Sequence, residues 1–372
     1  KAASGQPVSI STEDAAAIST SATQSLILDG TGAAISVKSV KGAADTKLSE
    51  AIKALGKVTV KGNVVVANEN PDTDAVDVTA DGVEIAAGAN LTADVASTKD
   101  VSITGTITGN VNAAANAVSV SLSSSSTGTV TGNVDGAAIT VDGLVSGIIT
   151  ASGTVAVSGT AASDIVATGQ AVSVTGSAAS ISDADTVTVT AGSVAGDIAA
   201  TGAVVVVGST PNKPASVGSI SGATTVEVGV SKGASVETSG VATIGSIEGA
   251  TGAITLNDTA NVSSVSVENK LVLVGSPVVS GIVLGASGIV DNTAGKNDTA
   301  ITLADGSKAT VKAGEKYSSA NFTIELDEKL DLTYTAEDLA STVEGKLDVL
   351  KTGSNPVKDT DYTVAYENGE GE

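Results

Sequence analysis

Residues 192–208 read GSVAGDIAATGAVVVVG, and the same design recurs through most of the chain. Val194 and Ile198 are four apart with Gly196 midway; Val204 and Val206 alternate with residues that would point the other way. Apolar residues at every second position mark extended strands with one face turned inward. Gly196 marks a bend, where a missing side chain relieves crowding or φ turns positive. On this reading Val194 and Ile198 line one inward wall, Val204 and Val206 start the next, and Asp197 faces water.

The alternating unit returns as VSIT from Val101, VSVS from Val118, ITVD from Ile139, VAVS from Val155 and VSVT from Val172. It continues as VTVT from Val187, VVVV from Val204, VEVG from Val226, VATI from Val241, ITLN from Ile254 and LVLV from Leu271. Successive spacings are 17, 21, 16, 17, 15, 17, 22, 15, 13 and 17 residues. Between these units lie GTITGNVN (105–112), GTVTGNVD (128–135), GLVSGIIT (143–150) and GSVAGDIA (192–199), sharing G-x-V/I-x-G-x-V/I.

A repeat of about 17 residues is too short for a helix pair and lacks the fixed Leu and Asn of leucine-rich repeats. It fits one coil of two or three short strands, each laid in parallel on the coil below. The predicted fold is all-β: a parallel β-helix, or β-solenoid, with about 17 residues per coil and a small C-terminal β-rich domain. The variable spacing favours a right-handed coil over a left-handed one with a strict hexapeptide period. About fourteen coils are expected between Lys57 and Ala300, giving a rod about 65–70 Å long. The prolines of STPNKPASV (209–217) belong in a loop at a corner.

Three segments are expected: 1–56, an N-terminal strand and capping helix; 57–302, the solenoid; and 303–372, a β-rich, Ig-like connector module. The helix rests on Leu48, Ile52 and Leu55 at i, i+4 and i+7, with Thr46 or Ser49 as cap and Gly56 as terminator. The connector rests on composition. All five aromatics, Tyr317, Phe322, Tyr334, Tyr362 and Tyr366, fall in the last segment, where charge also becomes denser.

Composition bounds the chemistry. The 372 residues carry a formal net charge of −22 and include no His, Cys, Met, Trp or Arg. His is the commonest general base, Cys the thiolate nucleophile, and Arg the bidentate clamp for phosphate or carboxylate. The reading is therefore of a non-enzyme, with no catalytic and no cofactor-binding residues. An acidic chain repels nucleic acid and anionic lipid, and no run approaches the roughly 20 apolar residues of a membrane span. Neither nucleic-acid binding nor membrane insertion is expected. Calcium is the one ion considered: Asn68, Asn70, Asp72 and Asp74 place oxygen ligands at alternate positions of NENPDTD, without the central Gly and final Glu of an EF-hand.

LSEAIKALG followed by KVTVKGNVVV, within 46–66, resembles the opening segment of right-handed β-helix domains in bacterial surface proteins, S-layer-type and pectate-lyase-like. Lyase and polygalacturonase activities do not follow, because those sites need Arg or His beside acidic clusters. GTITGNV, GTVTGNV and GSVAGDIAATGAVVVVG are similar to the repeats of bactofilins, cytoplasmic β-helical filament proteins that polymerise without nucleotide. VLKTGSNPVKDTDYTVAYENGEGE (349–372), notably DYTVAY, resembles the strand–turn–strand of Ig-like modules in bacterial surface proteins. These resemblances imply a structural subunit of a microbial cell-surface filament or S-layer, extracellular, whose partner is another copy of itself joined head to tail. The alternatives they imply are a non-polymerising adhesin or stalk that binds through its last domain, and a bactofilin-like scaffold.

Overall fold

The computed structural model describes residues 5–21, 24–42, 48–69, 75–113, 115–123, 126–230 and 240–319, together with the backbone of Phe322–Leu326 and Leu347–Lys351. Among them there is no helix: 36 strands form one continuous, mostly parallel sheet wound as a β-solenoid. Each coil supplies up to three strands, so the stack has three faces.

The first face is built from the alternating units. Val101 pairs with Val118, Val118 with Ile139, Ile139 with Val155, and the series runs on through Val172, Val187, Val204, Val226, Ile254 and Leu271 to Val290. Upstream it continues through Val83 and Val58 to Leu26. The second face carries Thr106–Thr108, Thr129–Val130 and Leu144–Val145; the third carries Val111–Ala113, Val134–Gly136 and Ile149–Ala151. From Thr160 onward the second- and third-face strands merge into single bent strands, Thr160–Val166, Ser177–Ala184 and Ser193–Ala200, with a register shift at the corner.

Side chains alternate in and out as the pleat requires. The interior is a set of vertical columns of small aliphatics. On the third face Ile149, Ile165, Ile181, Ile198, Ile220 and Ile247 lie one above another, each at most 1% exposed. Full burial of such a side chain contributes about 2 kcal/mol, and no single coil could achieve it alone.

VATI from Val241 is not a member of the first-face series. Val226 pairs directly with Ile254, and Ala242–Glu248 lies on the second and third faces, stacked on Ala215–Ser221. This coil is longer than its neighbours, and residues 231–239 within it lie outside the described residues. Ser209–Pro214 is an exposed corner loop closed by a bridge between Thr210 and Lys213, as its prolines require.

The corner glycines are explained by space more than by φ. Of the mid-motif glycines only Gly109 has positive φ; Gly132, Gly147 and Gly196 do not. A Cβ on Gly132 would overlap the carbonyl oxygen of Gly109, and one on Gly147 that of Gly132. A second column stands at the corner between the first and second faces. There Gly143, Gly159 and Gly176 each press on the carbonyl oxygen of the glycine one coil earlier.

The expected capping helix is absent. Leu48 forms an isolated bridge residue and Ile52–Lys53 is a third-face strand, paired in parallel with Ile18–Ser19 on one side and Val78–Ala80 on the other. Ala51, Ile52 and Ala54 are buried while Leu55 is half exposed, a two-residue alternation rather than a helical stripe. The stack therefore reaches back to Val8–Glu13, which pairs with the second half of Leu26–Val40. Fourteen first-face strands at about 4.8 Å make a stack about 60–65 Å long.

At the other end the stack also runs past the expected limit. Thr299–Leu303 pairs in parallel with Val278–Leu284, then turns into an antiparallel hairpin with Lys308–Val311. Lys316–Ser318 pairs antiparallel with Ile289–Gly295 and closes the first face. Tyr317, expected in a separate module, is 4% exposed and belongs to the solenoid core. Phe322–Leu326 and Leu347–Lys351 pair with each other as a separate antiparallel sheet.

Gly159→Ala forces backbone against backbone and should lower stability by about 2–3 kcal/mol. Gly82→Ala, whose added Cβ meets nothing closer than 3.6 Å, should change it by less than about 0.5 kcal/mol. Denaturant midpoints of the two variants measure the contrast; equal effects would show that the glycine column does not limit the stack.

Candidate functional site

Outward-facing polar groups are organised by the same stacking. Along the corner between the second and third faces runs a ladder of Asp and Asn side chains. Asn68 N–H donates to Asp77 Oδ1 at 2.7 Å, Asp94 N–H to Asp77 Oδ2 at 2.8 Å and Asn110 N–H to Asp94 Oδ1 at 2.6 Å. Asn133 N–H then donates to Asn110 Oδ1 at 2.9 Å and Ile148 N–H to Asn133 Oδ1 at 2.9 Å. Each acceptor satisfies a donor that the corner turns away from the regular ladder. Its signal in the sequence is an Asn or Asp just before a third-face valine, at Asp77, Asp94, Asn110 and Asn133, a position that the valine-and-glycine pattern leaves unspecified.

Elsewhere on the rod, at this corner and at the one between the first and second faces, carboxylates accept from hydroxyls instead of backbone N–H groups. Asp142, Asp164 and Asp197 each accept a hydrogen bond from a serine one coil on, Ser158, Ser180 and Ser219 respectively. Asp197 is exposed, as expected.

Of the calcium candidates, Asn68 ends the strand Lys57–Asn68, and its side-chain amide donates to the Leu48 carbonyl at 2.8 Å. Asn70, Asp72 and Asp74 lie outside the described residues. Among the described residues no three acidic side chains converge where one cation could hold them.

Ion pairs cross between coils: Lys38 with Glu69 at 2.6 Å, Lys57 with Glu84 at 2.5 Å, and Lys99 with Asp81. Hydrogen bonds from Lys99 and Thr98 hold the Asp81 carboxyl below its ordinary range. The most enclosed pair is Lys270 with Asp291, 3.0 Å apart at the C-terminal end. Burial opposes ionisation of Asp291, but hydrogen bonds from Thr293 and Lys270 outweigh it and its pKa is lowered. The neighbouring Asn292 is fully buried and donates to the carbonyls of Asn297 and Val311, tying the cap to the last coil.

The two ends differ. At the N-terminal end each face finishes on a strand with a single described neighbour: Val8–Glu13 on the second, Ile18–Ser19 on the third, and the first half of Leu26–Val40 on the first. Val8, Ile18 and Leu26 are only partly buried there. At the C-terminal end the first and third faces are closed by the antiparallel segments. On the second face Val278 and Val279 have no described strand beyond them, whereas Thr299–Leu303 continues in parallel over the rest of the strand Val278–Leu284. Val278 and Val279 border a cleft of about 290 Å³ lined by Leu273, Val279, Ser280, Asn292, Asn297 and Thr299, among others.

Asp291→Asn should loosen the C-terminal cap by about 1–2 kcal/mol, read as roughly tenfold faster hydrogen exchange at the Lys316–Ser318 amides. Because the folded pKa is lowered, the wild-type advantage is complete above the unfolded value of about 3.9. It disappears as pH falls through the lower folded value. Exchange rates that match at neutral pH would remove this role from Asp291.

Comparison of the chain with family models, with curated proteins and with solved structures returns no match.

Proposed function

We propose that the chain is a structural rod, a subunit of a microbial cell-surface filament or layer that assembles head to tail through the ends of its β-solenoid. The observation that carries this reading is the uninterrupted parallel stack ending, on all three N-terminal faces, in strands with one described neighbour. Such strands present N–H and C=O groups ready to pair with another chain. In this reading the protein catalyses no reaction, and its partner is a second copy of itself. The acidic surface keeps rods from clumping side by side. Extracellular placement accords with a chain whose order comes from backbone pairing and which has no Cys or Met to oxidise.

Purified protein at high concentration should form regular fibres or sheets in negative-stain electron microscopy, without nucleotide. Protein that stays monomeric with and without calcium would contradict the reading.

A further inference from the structure

We infer that two copies pair side by side through the second face, parallel and in register, so that filaments double or spread into a layer. The inference rests on the self-association proposed above and gives it a flank contact, separate from the joint at the ends.

The inward column of the second face runs from Val64 to Val279 over twelve rungs, every step parallel. The residues on either side of each member point outward, and none of them is charged. Most are Thr, Ser, Asn, Ala or Gly, as in Thr106 and Thr108 or Thr160 and Ala162. The pleat does not require this. The first face turns Glu84 and Glu227 outward, and the third turns Asp135 and Asp197. In a chain of net charge −22 the strip is the flank where two rods approach without carboxylates meeting. It is about 53 Å long and about 10 Å wide. Two such strips face to face bury about 1,000 Å² in total, the lower limit for a specific contact, and the corners add to it.

Charge at the corners that border the strip selects a parallel second copy. Rods related by a two-fold axis along their length set the first–second corner of one against the second–third corner of the other, at equal height. An axis across the rods sets like corner against like. The second–third corner is acidic, with Asp77, Asp94, Asp164 and Asp197 along it. Like against like would bring two such acidic columns together. The first–second corner instead carries Lys61 and Lys213, both exposed and without an ion pair among the described residues. In the parallel pair Lys213 meets Asp197 of the other copy, which is tied to the same rung by its bond from Ser219. Lys61 meets Asp77 of the other copy, the acceptor for the Asn68 N–H on that rung. Asp142 and Asp258, acids on the lysine corner, fall opposite Ile148 and Ser264. Face-to-face sheets lie about 10 Å apart, a gap that lysine and aspartate side chains close between them.

Lys213 and Asp197 stand on opposite corners of one copy, so a charge swap between them reports a contact between copies. Lys213→Asp alone and Asp197→Lys alone should each weaken pairing about tenfold, and the double variant should restore it. Ala162→Lys, at an exposed position in the middle of the strip, should abolish pairing while the circular dichroism spectrum stays unchanged. Pairing is read as a dimer in sedimentation velocity and as fibres two rods wide in negative-stain images. Pairs that survive Ala162→Lys, or a double swap no better than either single change, would overturn this face. Wild-type fibres one rod wide would overturn it too and leave head-to-tail assembly standing. Unpaired rods that pellet with insoluble cellulose, and cease to with Ala162→Lys, would overturn it in favour of a neutral glycan. Dimers that never lengthen would support this face and overturn the joint at the ends. Monomer throughout would overturn both.

Discussion

Parallel backbone pairing sets the constraint on which the rest of this structure depends. A coil hydrogen-bonded to the next lies about 4.8 Å from it, so every side chain sits within contact distance of its counterparts above and below. Each position along a coil therefore becomes a column whose members must agree in size and polarity. Inward columns settle on Val, Ile, Leu and Ala, which pack at that spacing in their preferred rotamers. Aromatic rings are too large to repeat. Tyr317, the one aromatic in the described core, comes where parallel stacking ends. Where the chain turns sharply the column admits nothing beyond hydrogen, and glycine stacks on glycine from Gly143 to Gly176.

The same spacing makes like charges costly on the outer faces. A chain with 41 acidic residues must keep them apart, and several of those in the described residues are paired with a neighbour one coil away. Carboxylates in the middle of the rod meet serine hydroxyls, those near the first coils meet lysines, and those at one corner meet backbone N–H groups. The abundance of Ser and Thr thus serves the acid content: a hydroxyl donates to a carboxylate and costs little when left to water. Asp291 departs from this pattern. It is buried at the last parallel coil, and the groups that stabilise its charge, Thr293 and Lys270, also fix the turn into the cap.

Most of the fold could be read from residue order because its rule is one-dimensional. Alternating valines gave the first-face strands from Val101 to Val226 at the pairings the structure makes, and G-x-V-x-G-x-V marked the corner between the other two faces. The failures share a cause. Apolar residues four apart fit a helix, but they also fit an extended chain that rounds a corner. Leu48, Ile52 and Leu55 satisfied both, and the helix-forming Ala and Lys around them favoured the wrong one. Pairing with Ile18–Ser19 and Val78–Ala80 overrides that local preference. VATI looked like a first-face unit because alternation alone does not say which face a strand occupies. The cap did have a signal in TAITLADGSKATVKAGEKYS (299–318): Asp305-Gly306 between alternating apolar residues is a hairpin turn, with Gly306 at φ 84°, but Asp-Gly also suits a corner between coils.

If columns alone specify the stack, one coil is dispensable and a fraction of a coil is not. Val187 pairs with Val204, so deleting residues 187–203 places Val204 where Val187 stood, on Val172, and restores every column. The account predicts that this shortened chain keeps a β-sheet circular dichroism spectrum and a cooperative melt, while a chain lacking residues 187–194 alone loses both. Equal tolerance of the two deletions, or equal collapse, would contradict it.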